Sequence, residues 1–200
     1  MKKQQTGFTL IEIAIVLVII GLLLGGVLKG QEMMNNAEIK RTVNDYNGIG
    51  AAIYSYLDRY GALPGDDPNA VARWGGTAPA GGTPGDGVIE GAWNSVTATD
   101  ESRLVWEHLR FAGLVNGAGN TSPLNPFGGV IGVEDAQAGG TTAIASGTVV
   151  CMDRVEGKDA EILDIQMDDG NGTTGDMMNA AASAYDNTTL NTAFTICRQI

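Results

Sequence analysis

Residues 8–28 read Phe-Thr-Leu-Ile-Glu-Ile-Ala-Ile-Val-Leu-Val-Ile-Ile-Gly-Leu-Leu-Leu-Gly-Gly-Val-Leu, 21 consecutive positions in which the only charge is Glu12. At about 1.5 Å of rise per helical residue the run spans roughly 31 Å, the thickness of a bilayer's hydrocarbon core. It is a membrane-spanning helix by length and composition. Lys2 and Lys3 precede it, and positive charge retained in the cytoplasm places the N-terminus inside and everything after Leu28 outside. A removable secretory signal predicts a shorter apolar stretch and a small-residue cleavage site; here the stretch runs through Gly25 and Gly26 into a polar helix.

A plain anchor does not account for Glu12. A carboxylate in lipid costs about 2.5 to 3.5 kcal/mol on insertion scales, so it needs a partner, and the sequence offers none within the same helix. If the chain is cut after Gly7, a new ammonium appears at Phe8, four residues and roughly 6 Å along the axis from Glu12. A modest stagger then brings one chain's amine level with another chain's carboxylate. Burial makes that pairing selective, since either charge alone in lipid is expensive.

Lys2-Lys3-(x)3-Gly7-Phe8-Thr9-Leu10-Ile11-Glu12 followed by an apolar helix resembles the class III signal of type IV pilins and type II secretion pseudopilins. The resemblance covers about the first 30 residues. It implies cleavage between Gly7 and Phe8 by a prepilin peptidase, N-methylation of Phe8, and Glu12 as the assembly carboxylate. It also implies an inner-membrane assembly platform and ATPase as partners, and a filament of identical or related subunits. The short leader and the Phe are more similar to the type IVa group, whose helix-kinking proline is absent here. Gly21, Gly25, Gly26 and Gly30 stand in that region instead. Each costs about 1 kcal/mol of helix stability relative to Ala, which makes the stretch one that melts on assembly or one that packs closely through small residues.

Beyond the membrane, Ile39, Val43, Tyr46, Ile49, Ile53, Leu57 and Tyr60 form a single helical stripe, ended by Gly61 and Pro64. The helix is expected from Phe8 to about Tyr60. Residues 61–95 read as loop, rich in Pro-Gly and Asp-Gly turns; Asp100 to Ala112 as a helix stopped by Gly113; Thr148 to Met152 and Ala193 to Ile200 as strands; and Asp159 to Met167 as a short helix ended by Asp168-Asp169-Gly170. The expected organisation is a removed leader (1–7), a membrane and filament-core helix (8–28), an amphipathic continuation (29–60) and an extracytoplasmic head (61–200). The fold class is α+β, a pilin-like ladle with its long helix packed on a small antiparallel-sheet head. Tyr60-Gly-Ala-Leu-Pro-Gly-Asp66, the Ala-Gly-Leu-Val ending of the segment Trp106 to Val115, and Asp164-x3-Asp168-Asp-Gly-x3-Thr-Gly175 are similar to a layout recurrent among prepilin-like proteins.

The head carries six bases against 18 acids, a net charge of about −12. That sign opposes duplex nucleic-acid binding by the head as a whole, because such binding rests on neutralising phosphates. Outside the cytoplasm two cysteines default to a disulfide. Cys151 and Cys197 would close a C-terminal region and pin the chain near its end; two buried thiols are the alternative. The acids Asp164, Asp168, Asp169 and Asp176 with Asn171 invite a calcium reading. Asp168, Asp169 and Asn171 are its candidate ligands, but the closing Glu of an EF-hand would fall at Ala180. A solvated acidic turn is the favoured reading, and no cofactor is expected. Asp66, Asp67 and Asp86 are weaker candidates still.

Catalytic residues are sparse. His108 is the sole histidine, lies beside Glu107, and is expected at the surface or in a capping role. Trp74, Trp93 and Trp106 read as core or loop anchors, and no nucleophile or metalloprotease motif is present. The expected function is that of a filament subunit rather than an enzyme. The alternatives are a type II secretion pseudopilin, a minor pilin acting as a tip adhesin, and a membrane-anchored enzyme.

Overall fold

The computed structural model describes residues 9–140, 142–185 and 192–200. Its elements are α1 (Leu10–Tyr60), α2 (Ala70–Trp74), α3 (Glu101–Phe111), β1 (Ile131–Asp135), α4 (Ala136–Gly139), β2 (Thr148–Glu156), α5 (Gly157–Met167), β3 (Met177–Asn179) and β4 (Ala193–Gln199). A long apolar N-terminal helix and a small four-stranded antiparallel sheet make this an α+β protein. The chain divides into two compact units, one up to Glu38 and one from Ile39 to Ile200.

In the first unit α1 is exposed along its whole apolar run, including Ile11, Val16, Leu17, Leu22, Leu23 and Leu28. Lys29 pairs with Glu32 at 2.8 Å just beyond it.

In the second unit the sheet order is β1-β2-β4-β3, all antiparallel. Ile39, Tyr46, Ile49 and Ile53 of α1 are buried in one core with Val105, Trp106 and Leu109 of α3, Val133 of β1, Val150 and Met152 of β2 and Ile196 of β4. The stripe expected from the sequence ends differently: Tyr56 is buried while Leu57 is exposed. The cause is polar, since the Tyr56 hydroxyl donates to Asp67 Oδ2 at 2.8 Å and so turns inward.

Several elements depart from the sequence reading. Residues 61–95 contain α2, and β1 and β3 were not expected. The strand starting at Thr148 runs to Glu156 rather than Met152, passing a bulge between Met152 and Val155 where Arg154 has φ 60°. In β1, Gly132 is required by close packing, because a Cβ there would come within 1.9 Å of the Trp93 carbonyl oxygen. Trp93 and Trp106 are buried, and Trp74 joins Tyr56, Tyr60 and Phe111 in an aromatic cluster capped by Arg73.

Candidate functional site

At the N-terminal end of α1, Thr9 stands just before the first helical residue and Glu12 three positions later. The Thr9 N–H donates to Glu12 Oε2 at 2.9 Å and the Thr9 hydroxyl to the same oxygen at 2.6 Å. The Glu12 N–H donates to Thr9 Oγ1 at 3.3 Å. This is a capping box, satisfying helix-end donors reciprocally. The expectation that Glu12 has no partner in its own helix is therefore corrected. The Thr-x-x-Glu spacing was the signal that could have found it. Gly7 and Phe8, the expected processing pair, lie outside the described residues. Gly21, Gly25, Gly26 and Gly30 have open space where a Cβ would stand, so nothing among the described residues demands glycine there.

Cys151 of β2 and Cys197 of β4 face each other in register and are joined by a disulfide spanning 46 residues. Both are fully buried. Closing a loop of that size stabilises the fold by about 4 kcal/mol in the chain-entropy account.

Asp164, Asp168 and Asp169 each bring an oxygen within 4.8 Å of the others. The turn is not wholly solvated as expected, since Asp164 is buried and accepts the Gly170 N–H at 3.0 Å. Burial pushes its carboxyl up to about 6, with the charges of Asp169 and Asp168 adding to the rise. The other oxygens also tie down the turn: Asp168 Oδ2 accepts from Met177 N–H, Asp169 from the Asn171 N–H and the Thr174 hydroxyl, and Asn171 Oδ1 from Thr173. Three carboxylates could hold a cation, and calcium takes six to eight oxygens; the hydrogen bonds tie the same groups into the turn, leaving Asp164 Oδ2 buried without a donor among the described residues.

Asp66 and Asp67 are buried as well. Asp66 accepts the N–H groups of Gly85 and Gly87, and Asp86 accepts that of Val88. Asp67 accepts from Tyr56, from Arg73 at 2.7 Å and from the Asn69 N–H. Burial raises the Asp67 carboxyl, yet these bonds outweigh it and hold the group below its ordinary value.

His108 is buried rather than exposed, 2% accessible. Its Nδ1 accepts the Gly65 N–H at 2.8 Å and its ring stacks on Tyr56. Burial pushes it down to about 4, against the pull of Asp67 and Glu107. It is a neutral acceptor that ends the turn after α1. Glu107 is likewise buried, accepting from the Thr77 N–H and hydroxyl. An open groove of about 320 Å³ beside α1 has Arg41, Asp45, Trp106, Leu114 and Ile131 among its lining, with Arg41 and Asp45 3.8 Å apart.

Comparison with curated proteins and with solved structures finds no significant match. A family model described as the prokaryotic N-terminal methylation motif matches residues 2–28, the segment that contains the Thr9–Glu12 box and most of the exposed apolar run. The chain thus carries the class III prepilin signal of type IV pilins and pseudopilins, at the head of a helix long and apolar enough to anchor its precursor in a membrane.

Proposed function

We propose that this protein is a structural subunit of a type IV pilus-like filament. A prepilin peptidase cuts it between Gly7 and Phe8 and methylates Phe8, and it polymerises through its N-terminal helix with copies of itself or related subunits. The observation that carries this reading is the match at residues 2–28 on a helix whose apolar side chains have no cover among the described residues. Such a surface is stable only in lipid or against other helices. Before assembly the Thr9 contacts supply Glu12 with local donors; in the filament the amine of a neighbouring Phe8 takes up its charge. The acidic, disulfide-linked head is then extracytoplasmic, on a surface or periplasmic filament driven out by an assembly platform and ATPase. Its role is structural rather than enzymatic.

The N-terminal sequence and mass of the protein recovered from sheared filaments test this reading. The expected result is a chain beginning at N-methyl-Phe8. Recovery of filaments whose subunits retain Met1 would overturn both the processing and the mode of assembly.

A further inference from the structure

Three segments of the head converge on two carboxyl groups. Glu101, the first residue of α3, is fully buried, and Glu90 reaches it from the loop before it. Glu101 Oε2 accepts the Glu90 N–H at 3.1 Å, and the Glu90 carbonyl accepts the Ser102 N–H at 3.0 Å. The two carboxyl groups lie within hydrogen-bonding reach of each other. Yet Glu101 Oε1 and Glu90 Oε2 are buried oxygens with no donor. Gly82 stands against Glu90, since a Cβ there would fall within 2.5 Å of both Glu90 oxygens. Without a hydrogen between the two groups, each keeps a buried oxygen that no donor meets.

Among the described residues no charged group on the packed segments forms an ion pair with either glutamate, although Arg103 Nε is itself buried without an acceptor. Asp66 and Asp67 come from the turn after α1, Asp86 from the covering loop, Glu134 and Asp135 from β1, and Asp100 and Arg103 from the start of α3. Arg103 donates to Ser122 Oγ at 3.3 Å. Both Asp66 oxygens accept backbone N–H groups, from Gly85 and Gly87.

We propose that Glu90 and Glu101 share a single proton, forming a carboxyl–carboxylate clasp that fastens segment 82–91 onto the first turn of α3 and opens in alkali. The clasp holds Ile89, whose carbonyl accepts the Asp135 N–H of β1 at 3.0 Å, in the core. Burial, followed by the Glu90 hydrogen bond, pushes Glu101 up to about 8, in keeping with retention of one proton at neutral pH. The folded protein then binds a proton that the unfolded loop has lost above the ordinary carboxylate range. Local stability therefore falls as pH rises from about 5 to about 8.

Hydrogen exchange read by mass spectrometry on the full chain in detergent micelles, corrected for the intrinsic rate, tests this. In the native protein the protection of a peptide covering Glu90 and Ser102 should fall by up to about tenfold per pH unit across that window, while one over β2 stays level. In Glu101→Gln the amide donates permanently to Glu90, and the profile should become flat; Glu90→Gln is the reciprocal variant should the first not fold. A flat native profile, or the native slope persisting in both variants, would overturn the proposal. So would restoration of protection above pH 8 by millimolar calcium chloride, which would assign the pair to a cation.

Discussion

The two halves of α1 use opposite chemistry in one continuous helix. Up to Leu28 it is almost entirely apolar and every side chain is exposed; from Ile39 to Tyr60 polar residues abound, yet one face is buried and carries buried Thr42, Tyr46 and Tyr56. The first half is a helix because nothing in its backbone objects, glycines aside, and because lipid or neighbouring helices satisfy its surface. The second half is held by particular partners: the Tyr46 hydroxyl on the Ile196 carbonyl at 2.9 Å, and Tyr56 on Asp67. Hydrophobicity along a helix marks where it will be covered. It does not say by which molecule.

Three substitutions probe that division. Replacing Cys151 and Cys197 together with Ser should cost the second unit about 4 kcal/mol, read as a shift in the urea midpoint. Helicity of the first unit should stay unchanged; a parallel loss there would show that the halves do not act separately. Glu12→Ala has the reverse signature. If the proposed pairing holds, the substitution leaves a neighbour's Phe8 ammonium alone in an apolar layer, where an isolated charge costs about 2.5 to 3.5 kcal/mol, and incorporation into filaments should fall by roughly a hundredfold, with the head's urea midpoint unmoved. Normal polymerisation of this variant would remove Glu12 from assembly.

The third concerns His108. Its folded pKa of about 4 lies below the ordinary histidine value, so between about 4 and 6.5 the unfolded chain takes a proton that the folded chain refuses. The stability it supplies is present above that window and is lost as pH falls through it. Glu101 titrates in the opposite sense, so the informative quantity is the difference between the native protein and His108→Asn. That gap should narrow by up to about 1.4 kcal/mol per pH unit on acidification; a constant gap would mean that His108 is not held neutral by its surroundings.

How much of this was legible in the sequence follows from which forces act locally. The long helix and α3 follow from periodicity and stop signals, which are short-range; the cysteine pair was expected from an extracytoplasmic head, and the pattern Gly7 to Glu12 from its resemblance to a known signal. β1 was not legible because Ile-Gly-Val-Glu-Asp looks like a broken, acidic segment. Its Glu134 is buried accepting the Trp93 N–H at 2.7 Å, and its glycine answers a backbone 39 residues away in the chain. The same applies to Asp67, Glu107, Glu101 and His108. Each is buried because a distant N–H or hydroxyl meets it, and composition alone sends such residues to the surface. The capping box is legible in the Thr9-x-x-Glu12 spacing, where Glu12 is a helix-end acceptor as well as a charge.

The strand order carries a consequence for export. β4 lies between β2 and β3, which do not pair with each other, and it follows all three other strands in the chain. Any route that delivers the polypeptide N-terminus first brings the keystone of the sheet, with Cys197, after the strands it must join. Until then β2 has one open edge and Cys151 a bare thiol. The interval between the appearance of β2 and sheet closure is thus when this head is most exposed to wrong thiol partners and to edge pairing with a sibling chain.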